Sequence, residues 1–132
     1  MELIVWRENF ETGFSRVDNQ HRYLVELINK LFTNMGSKGK EENLKTIFME
    51  LYGYTINHFS MEESLMLEFN YPDYDGHKKE HAAFIDKINE FKNSYLKGEA
   101  KVNVELVNYL KDWLLKHILG TDRKTFAGLM QP

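Results

Sequence analysis

The stretch "LKTIFMELYGYTINHFSMEESLMLEF", residues 44–69, decides the fold of this 132-residue chain. Its periodic positions alternate between steps of four and three residues, which is the spacing of a helix that packs in a bundle. These positions are Leu44, Phe48, Leu51, Thr55, His58, Glu62, Leu65 and Phe69. These positions form one line along the helix, which we call its seam. The seam is apolar at both ends, but a histidine and a glutamate occupy its middle. The stretch therefore predicts a long helix with a buried polar site.

Polar breaks that carry glycine or proline divide the chain into four such segments. The breaks are "MGSKGKEEN" at 35–43, "FNYPDYDG" at 69–76 and "YLKGEAKVN" at 95–103. They predict helices at about 18–36, 41–69, 74–96 and 103–119, the first capped by Asp18 or Asn19. Short connections make neighbouring helices antiparallel, so we expect a single all-α domain over 1–132, an up-down-up-down four-helix bundle. Residues 1–17 are expected to form a non-helical arm, and "DRKTFAGLM" at 122–130 is compatible with a short terminal helix.

Composition excludes several classes of function. A hydrophobic fraction of 42% and a charged fraction of 28% are ordinary for a globular domain. The net charge of −3 gives no basic surface for nucleic acid, and no apolar run is long enough to insert into a membrane. The absence of cysteine excludes disulfides and thiolate ligands, and it fits the reducing cytoplasm, where we expect the protein.

Every histidine falls on a predicted buried seam. The five are His21, His58, His77, His81 and His117. Taken alone, each has an ordinary explanation, such as a hydrogen-bonded core histidine or a His58–Glu62 pair one helical turn apart. Together, five buried imidazoles and a buried carboxylate are costly unless all of them find partners, and a metal centre satisfies all of them at once.

The ligand types restrict the metal. Nitrogen and carboxylate ligands without sulfur suit iron, zinc, copper or manganese, and five imidazoles exceed what one structural zinc uses. Two metals in one site need anionic bridges. Glu62 is one candidate, and a second should lie near His117, where Asp122 is the next carboxylate along the chain, although spacing alone would not select it. Asp122 follows His117 by five residues, which rotates its side chain by about 140° on a regular helix. We therefore predict a π-type bulge or widened turn between Leu114 and Asp122.

The order of these residues resembles the hemerythrins, and specifically their single-domain bacterial branch, the bacteriohemerythrins. The shared pattern is His21, then His58-x-x-x-Glu62, His77-x-x-x-His81 and His117-x-x-x-x-Asp122. The words "W…F.TG…VDNQH" at residues 6–21 and "WLLKHILGTD" at 113–122 also match. The similarity covers essentially the whole chain, and no ligand position departs from the family pattern.

The resemblance implies a non-haem di-iron site that binds O2 reversibly, for oxygen carriage, storage or delivery to an O2-consuming partner protein. One iron would take three histidines and the other two: His77, His81 and His117 for the first, His21 and His58 for the second. Glu62 and Asp122 would bridge both irons together with an oxo or hydroxo group. Leu114 and Ile118 are expected to line the O2 pocket and to keep water out.

Other functions compete with this interpretation. "HKKEH" at 77–81 matches the H-x-x-E-H signature of inverzincin peptidases with Glu80 as base, but it leaves three histidines unexplained. A ferritin-like oxidase would need Glu-x-x-His pairs, which the chain lacks. A di-iron redox enzyme, such as a peroxidase or nitric oxide reductase, and an iron- or O2-sensing module remain alternatives.

Overall fold

The computed structural model describes residues 3–35 and 41–129, and in them it contains helices and no strands. Four long helices form the antiparallel up-down-up-down bundle: α1 (Ser15–Asn34), α2 (Glu41–Glu68), α3 (Tyr74–Leu96) and α4 (Val104–Lys116). A π-helical turn (His117–Asp122) and a short α5 (Arg123–Leu129) follow. The predicted fold class is confirmed. The predicted first-helix end near residue 36 and most of the first break lie outside the described residues.

The seams predicted from the sequence form the core. Helix α1 packs against α2 and α4, and α2 packs against α3, while α3 meets α4 through stacked rings of Phe84 and Trp113, 4.0 Å apart. The seam of α2 is buried from Leu44 to Glu62, but Phe69 at its end is 48% exposed. Among the described residues, no helix is long and apolar enough to cross a membrane.

Helices α2 and α3 end in the same backbone motif. Asn70 has a φ of 56° and Gly98 a φ of 78°, which is the left-handed conformation that terminates helices. After α2, Tyr71 N–H donates to the Met66 carbonyl at 2.8 Å, and after α3, Glu99 N–H donates to the Ser94 carbonyl at 2.8 Å. These bonds satisfy carbonyls at the helix ends and turn the chain towards the next helix.

The start of α1 differs from the expectation. The helix begins at Ser15 rather than at residue 18, and Asp18 lies in its first turn instead of capping it. The buried Asp18 carboxylate reaches back and accepts hydrogen bonds from Thr12 N–H (2.7 Å), the Thr12 hydroxyl (2.8 Å) and Gly13 N–H (3.2 Å). These bonds satisfy the hydrogen-bond donors of Thr12 and Gly13, which precede the helix. The helix can therefore begin three residues earlier than expected.

The N-terminal arm is ordered by α1. It contains one turn of 3-10 helix, Glu8–Phe10, where a wholly non-helical segment was expected. Asn29 holds the arm with two hydrogen bonds, because its side chain accepts from Ile4 N–H and donates to the Ile4 carbonyl, both at 2.8 Å. The arm thereby buries Ile4 and Phe10 against the bundle.

We expect Asp18→Ala to destabilise the protein, because it leaves the donors of Thr12 and Gly13 without their acceptor. A buried donor left unsatisfied costs about 1–3 kcal/mol. Urea unfolding should show a fall of this size in the free energy of unfolding. Asp75→Ala is the matched control, since Asp75 is an exposed first-turn acid of α3 that shares only the helix-dipole effect. Equal losses in both variants would contradict the role of these hydrogen bonds.

Candidate metal centre

Seven polar side chains meet in the middle of the bundle. They are His21 from α1, His58 and Glu62 from α2, His77 and His81 from α3, and His117 and Asp122 from the π-helical turn. Each is at most 3% exposed. The structure therefore brings together all seven residues that the sequence nominated as ligands. Such a set of buried polar groups is stable only if each group finds a partner.

The seven form two overlapping groups, each with its donor atoms within 4.8 Å of one another. The larger, which we call the five-donor group, consists of Glu62, His77, His81, His117 and Asp122. The smaller, the four-donor group, consists of His21, His58, Glu62 and Asp122. Both carboxylates belong to both groups, which is the arrangement that two neighbouring cations would require.

Glu62 lies between the two groups. Its Oε2 atom is 2.8 Å from His58 Nε2 and 3.2 Å from His21 Nε2. Its Oε1 atom is 3.1 Å from His81 Nε2 and 3.3 Å from His77 Nε2. One carboxylate oxygen thus faces each group.

Asp122 is placed in the same way by the π-helical turn. Its Oδ2 atom is 2.9 Å from His21 Nε2, and its Oδ1 atom is 3.1 Å from His77 Nε2 and 3.2 Å from His117 Nε2. The turn spans His117–Asp122, so the predicted bulge is confirmed. The wider turn brings residue i+5 back to the face of residue i, where a regular helix would point it elsewhere.

Two histidines of the five-donor group donate to carboxylates through the ring nitrogen that faces away from the centre. His81 Nδ1 lies 2.9 Å from Glu63 Oε2, and His117 Nδ1 lies 3.0 Å from Glu80 Oε1. An ionised carboxylate only accepts hydrogen bonds, so each of these two rings carries a proton on Nδ1. The nitrogen left to bind a cation is Nε2, which faces the centre.

The other three histidines lack a carboxylate at Nδ1. His58 Nδ1 lies 2.6 Å from the amide oxygen of Gln20, and His77 Nδ1 lies 2.8 Å from the Thr125 hydroxyl. Within the described part of the chain, the buried His21 Nδ1 has no hydrogen-bond partner. Hydrogen bonds at the outer nitrogen are typical of metal-binding histidines, because they fix the ring orientation and the tautomer.

The inward-facing atoms fit a cation better than they fit one another. His81 Nε2 and His117 Nε2 approach to 3.1 Å, although both present lone pairs when their protons are on Nδ1. Glu62 Oε1 and both oxygens of Asp122 are buried, and each lies within 3.3 Å of at least one imidazole Nε2 atom. Acceptors crowded at such distances repel one another unless positive charge lies between them. The donor set therefore fits a bound metal.

In the absence of a cation, protons supply that positive charge. Burial lowers the pKa of His21 and of His77, but hydrogen bonds to Asp122 and Glu62 outweigh burial and raise the pKa of each to about 9. Burial alone would raise the pKa of Glu62, but the charge of His58 and the close contacts of His58 and His21 hold that pKa well below its usual range. Because metal ligands must be deprotonated, cation binding displaces these protons.

Aromatic rings fix the planes of two histidines. The Phe59 ring stacks on His81 with centroids 3.9 Å apart and planes 2° apart. The Trp113 ring stacks on His117 at 4.5 Å and 14°. These contacts restrict ring rotation, so the Nε2 atoms of both histidines are preoriented towards the centre.

A small apolar cavity lies beside Phe59 and Trp113, the rings that stack on His81 and His117, and none of the seven ligand candidates lines it. It is lined by Leu24, Ile28, Leu51, Thr55, Phe59, Phe84, Leu110, Trp113 and Leu114. The cavity volume is about 10 Å³, counted as the space that the centre of a water-sized sphere can occupy. On the same measure one water molecule needs roughly 10–15 Å³, so the cavity is just large enough for one small molecule. Leu114, one of the two residues predicted to line an O2 pocket, is among the residues that line this cavity. Ile118 is fully buried but is not among the lining residues.

Sequence reasoning missed the outer partners of the histidines. Gln20 and Glu63 each adjoin a ligand candidate in sequence, but each contacts a histidine of another helix. Glu80 was considered only as the base of a peptidase, yet it accepts from His117 across the bundle. Spacing along one helix carries no signal for such contacts. Only the polarity of Gln20, Glu63 and Glu80 beside seam positions could have indicated them.

The chain is similar to known proteins over most of its length. Residues 12–129 match the family model described as the hemerythrin HHE cation binding domain. The chain belongs to the hemerythrin family. Bacteriohemerythrin of Pseudomonas aeruginosa (strain LESB58) is 37% identical over 92% of this chain and 78% of that protein. A hemerythrin from Sipunculus nudus is 36% identical over 91% of this chain and 88% of that protein. A crystal structure of wild-type hemerythrin matches with a TM-score of 0.89 and 27% identity, covering 95% of this chain and 98% of that one.

We expect the protein to bind two metal ions per chain and to retain fewer than two when Glu62 is replaced by Gln, because Glu62 belongs to both donor groups. Metal analysis of protein from iron-replete cells measures this content. Glu68→Gln makes the same chemical change at an exposed position of α2 and should leave two metal ions bound. A single tightly held zinc in the unmodified protein, with His21 and His58 unliganded, would contradict the two-metal arrangement.

Proposed function

We propose that the protein binds O2 reversibly at a non-haem di-iron centre, for the carriage, storage or delivery of oxygen. The observation that carries this proposal is the pair of histidine-rich donor groups that share two carboxylates beside an apolar cavity. Membership of the hemerythrin family supports it. The cysteine-free composition favours the cytoplasm as the location, and an O2-consuming protein would be the recipient in delivery.

The seven converging residues are the proposed iron ligands. The donors are imidazole nitrogens and carboxylate oxygens, a set that suits iron. His77, His81 and His117 would hold one ion, His21 and His58 the other, with Glu62 and Asp122 and an oxo or hydroxo group shared by both. A pair of ferrous ions would supply the electrons that O2 binding requires. The four-donor group has one histidine fewer, so an ion held there would keep a position for a ligand.

The cavity favours binding over catalysis. Among the described residues that line it, none has a titratable side chain. Its one hydroxyl, that of Thr55, donates to the Leu51 carbonyl at 2.7 Å. Cleavage of the O–O bond therefore lacks a general acid, whose help is typically worth about 10²–10⁴ in rate. The apolar walls also exclude water, so we propose that the bound gas leaves as O2.

Stopped-flow mixing of the reduced protein with O2 should produce a coloured oxygenated form. That colour should fade under argon and return when O2 is readmitted, because the residues that line the cavity provide no proton for bond cleavage. If the protein instead consumes O2 or peroxide catalytically with a reductant, at rates far above autoxidation, the redox-enzyme alternative would replace the carrier function.

Leu114→Ala should speed irreversible oxidation of the oxygenated form without loss of iron. Leu114 lines the cavity and is 6% exposed, so its truncation widens the cavity and admits water. The decay of the oxygenated absorption band, with iron content measured in parallel, checks this expectation.

Leu115→Ala is the matched control, because it removes the same atoms at the next residue, outside the cavity lining. Its oxygenated form should decay at the rate of the unmodified protein. Equal acceleration in both variants would show that general loosening of α4, rather than water entry at the cavity, controls the oxidation.

A further inference from the structure

The two donor groups differ in how their histidines are supported. This difference bears on the order in which two cations bind, and an inference from it rests on the proposed function, since it presupposes a two-iron centre. The five-donor group offers three imidazoles, and the four-donor group offers two. At equal quality of ligands, the group with more donors holds a cation more tightly.

The outer hydrogen bonds increase this difference. In the five-donor group, His81 and His117 each donate to a carboxylate, from Glu63 and Glu80 respectively. A carboxylate at the outer nitrogen raises the basicity of the imidazole and hence its strength as a ligand. The two carboxylates also add negative charge on this side of the centre.

The four-donor group has no such support. The outer nitrogen of His58 faces the neutral amide oxygen of Gln20, and that of His21 has no partner among the described residues. The rings of these two histidines meet edge to face, at 4.8 Å and 66°. A neutral acceptor polarises an imidazole less than an anion does, so these two ligands are the weaker donors.

Glu80 has a second structural effect on the five-donor group. Its Oε1 and Oε2 atoms accept from the Thr121 hydroxyl at 2.8 and 3.0 Å, while Oε1 also accepts from His117 Nδ1. Glu80 thus links α3 to the first and fifth residues of the π-helical turn, on either side of its middle. The orientation of His117 and the position of Asp122 at the end of the turn both depend on this link.

We propose that the five-donor group is the tighter cation position, filled first and emptied last, and that Glu63 and Glu80 establish this order. Both are positioning residues that act through His81 and His117. The four-donor group is the exchangeable position. A chain with one cation is then a defined intermediate of loading, with the metal on the side of His77, His81 and His117.

The order can be measured on the reduced holoprotein under argon, by equilibration with increasing nitrilotriacetate and determination of the Fe(II) retained. We expect two separate release steps, at free Fe(II) concentrations that differ by about tenfold or more. Paramagnetically shifted N–H resonances identify the iron that stays. The one-iron form should keep the shifted resonances of three imidazoles and lose those of two.

Substitutions that remove or add a carboxylate at the outer ring nitrogens test whether these carboxylates cause the order of release. Glu80→Gln and Glu63→Gln should each move the release of the tighter iron to free Fe(II) concentrations about 10–100-fold higher and leave the weaker step in place. Gln20→Glu should strengthen only the weaker step, because it puts a carboxylate at His58. A gain of affinity at one position cannot arise from general damage to the fold.

Glu90→Gln is the matched control, an exposed glutamate on the same helix as Glu80, and should change neither step. The proposed order would be overturned if both irons were released in one step, or if the one-iron form kept the shifted resonances of only two imidazoles. It would also be overturned if Glu80→Gln shifted the release of the weaker iron instead of the tighter one. An untreated holoprotein with fewer than two irons would contradict the two-iron centre itself, and this is seen before any chelator is added.

Discussion

The structure depends on a charge balance between two buried carboxylates and the five imidazoles around them. Glu62 and Asp122 are both fully buried in the middle of the bundle, where an uncompensated charge would cost several kcal/mol. Positive charge has to lie between them and the rings, carried by protons in the free chain or by metal ions in the loaded one. The apolar seams above and below this layer provide the stability that permits a polar centre.

Helical geometry supplies most of the centre at little cost. On α2 and α3, ligand candidates four residues apart leave the same face, so His58 pairs with Glu62 and His77 with His81 without any distortion of the backbone. The exception is Asp122, for which the chain adopts a π-helical turn. Deviation from regular structure is thus confined to the one carboxylate that regular spacing would misplace.

The sequence predicted the bundle and six of the seven converging residues because both follow from periodicity within single helices. Asp122 breaks that periodicity, and only the resemblance to the hemerythrins identified it as a ligand. It failed where a contact depends on how one helix is rotated against another, as for Gln20 with His58 and Glu80 with His117. Asp18 shows a second reason. Its residue type indicated a helix cap, but a carboxylate can also satisfy donors before the helix, and only the path of the arm distinguishes the two.

The π-helical turn holds one residue more than a regular helix would place between His117 and the aspartate that shares its face. Its middle residues, Leu119 and Gly120, are not buried, so many side chains fit there. Removal of either would put the aspartate four residues after His117, the spacing at which a regular helix places both on one face. The segment could then become regular α-helix, while Thr125, the partner of His77, and the buried ring of Phe126 keep their places. A deletion of one residue is therefore accommodated here, whereas a further inserted residue would require a still wider turn.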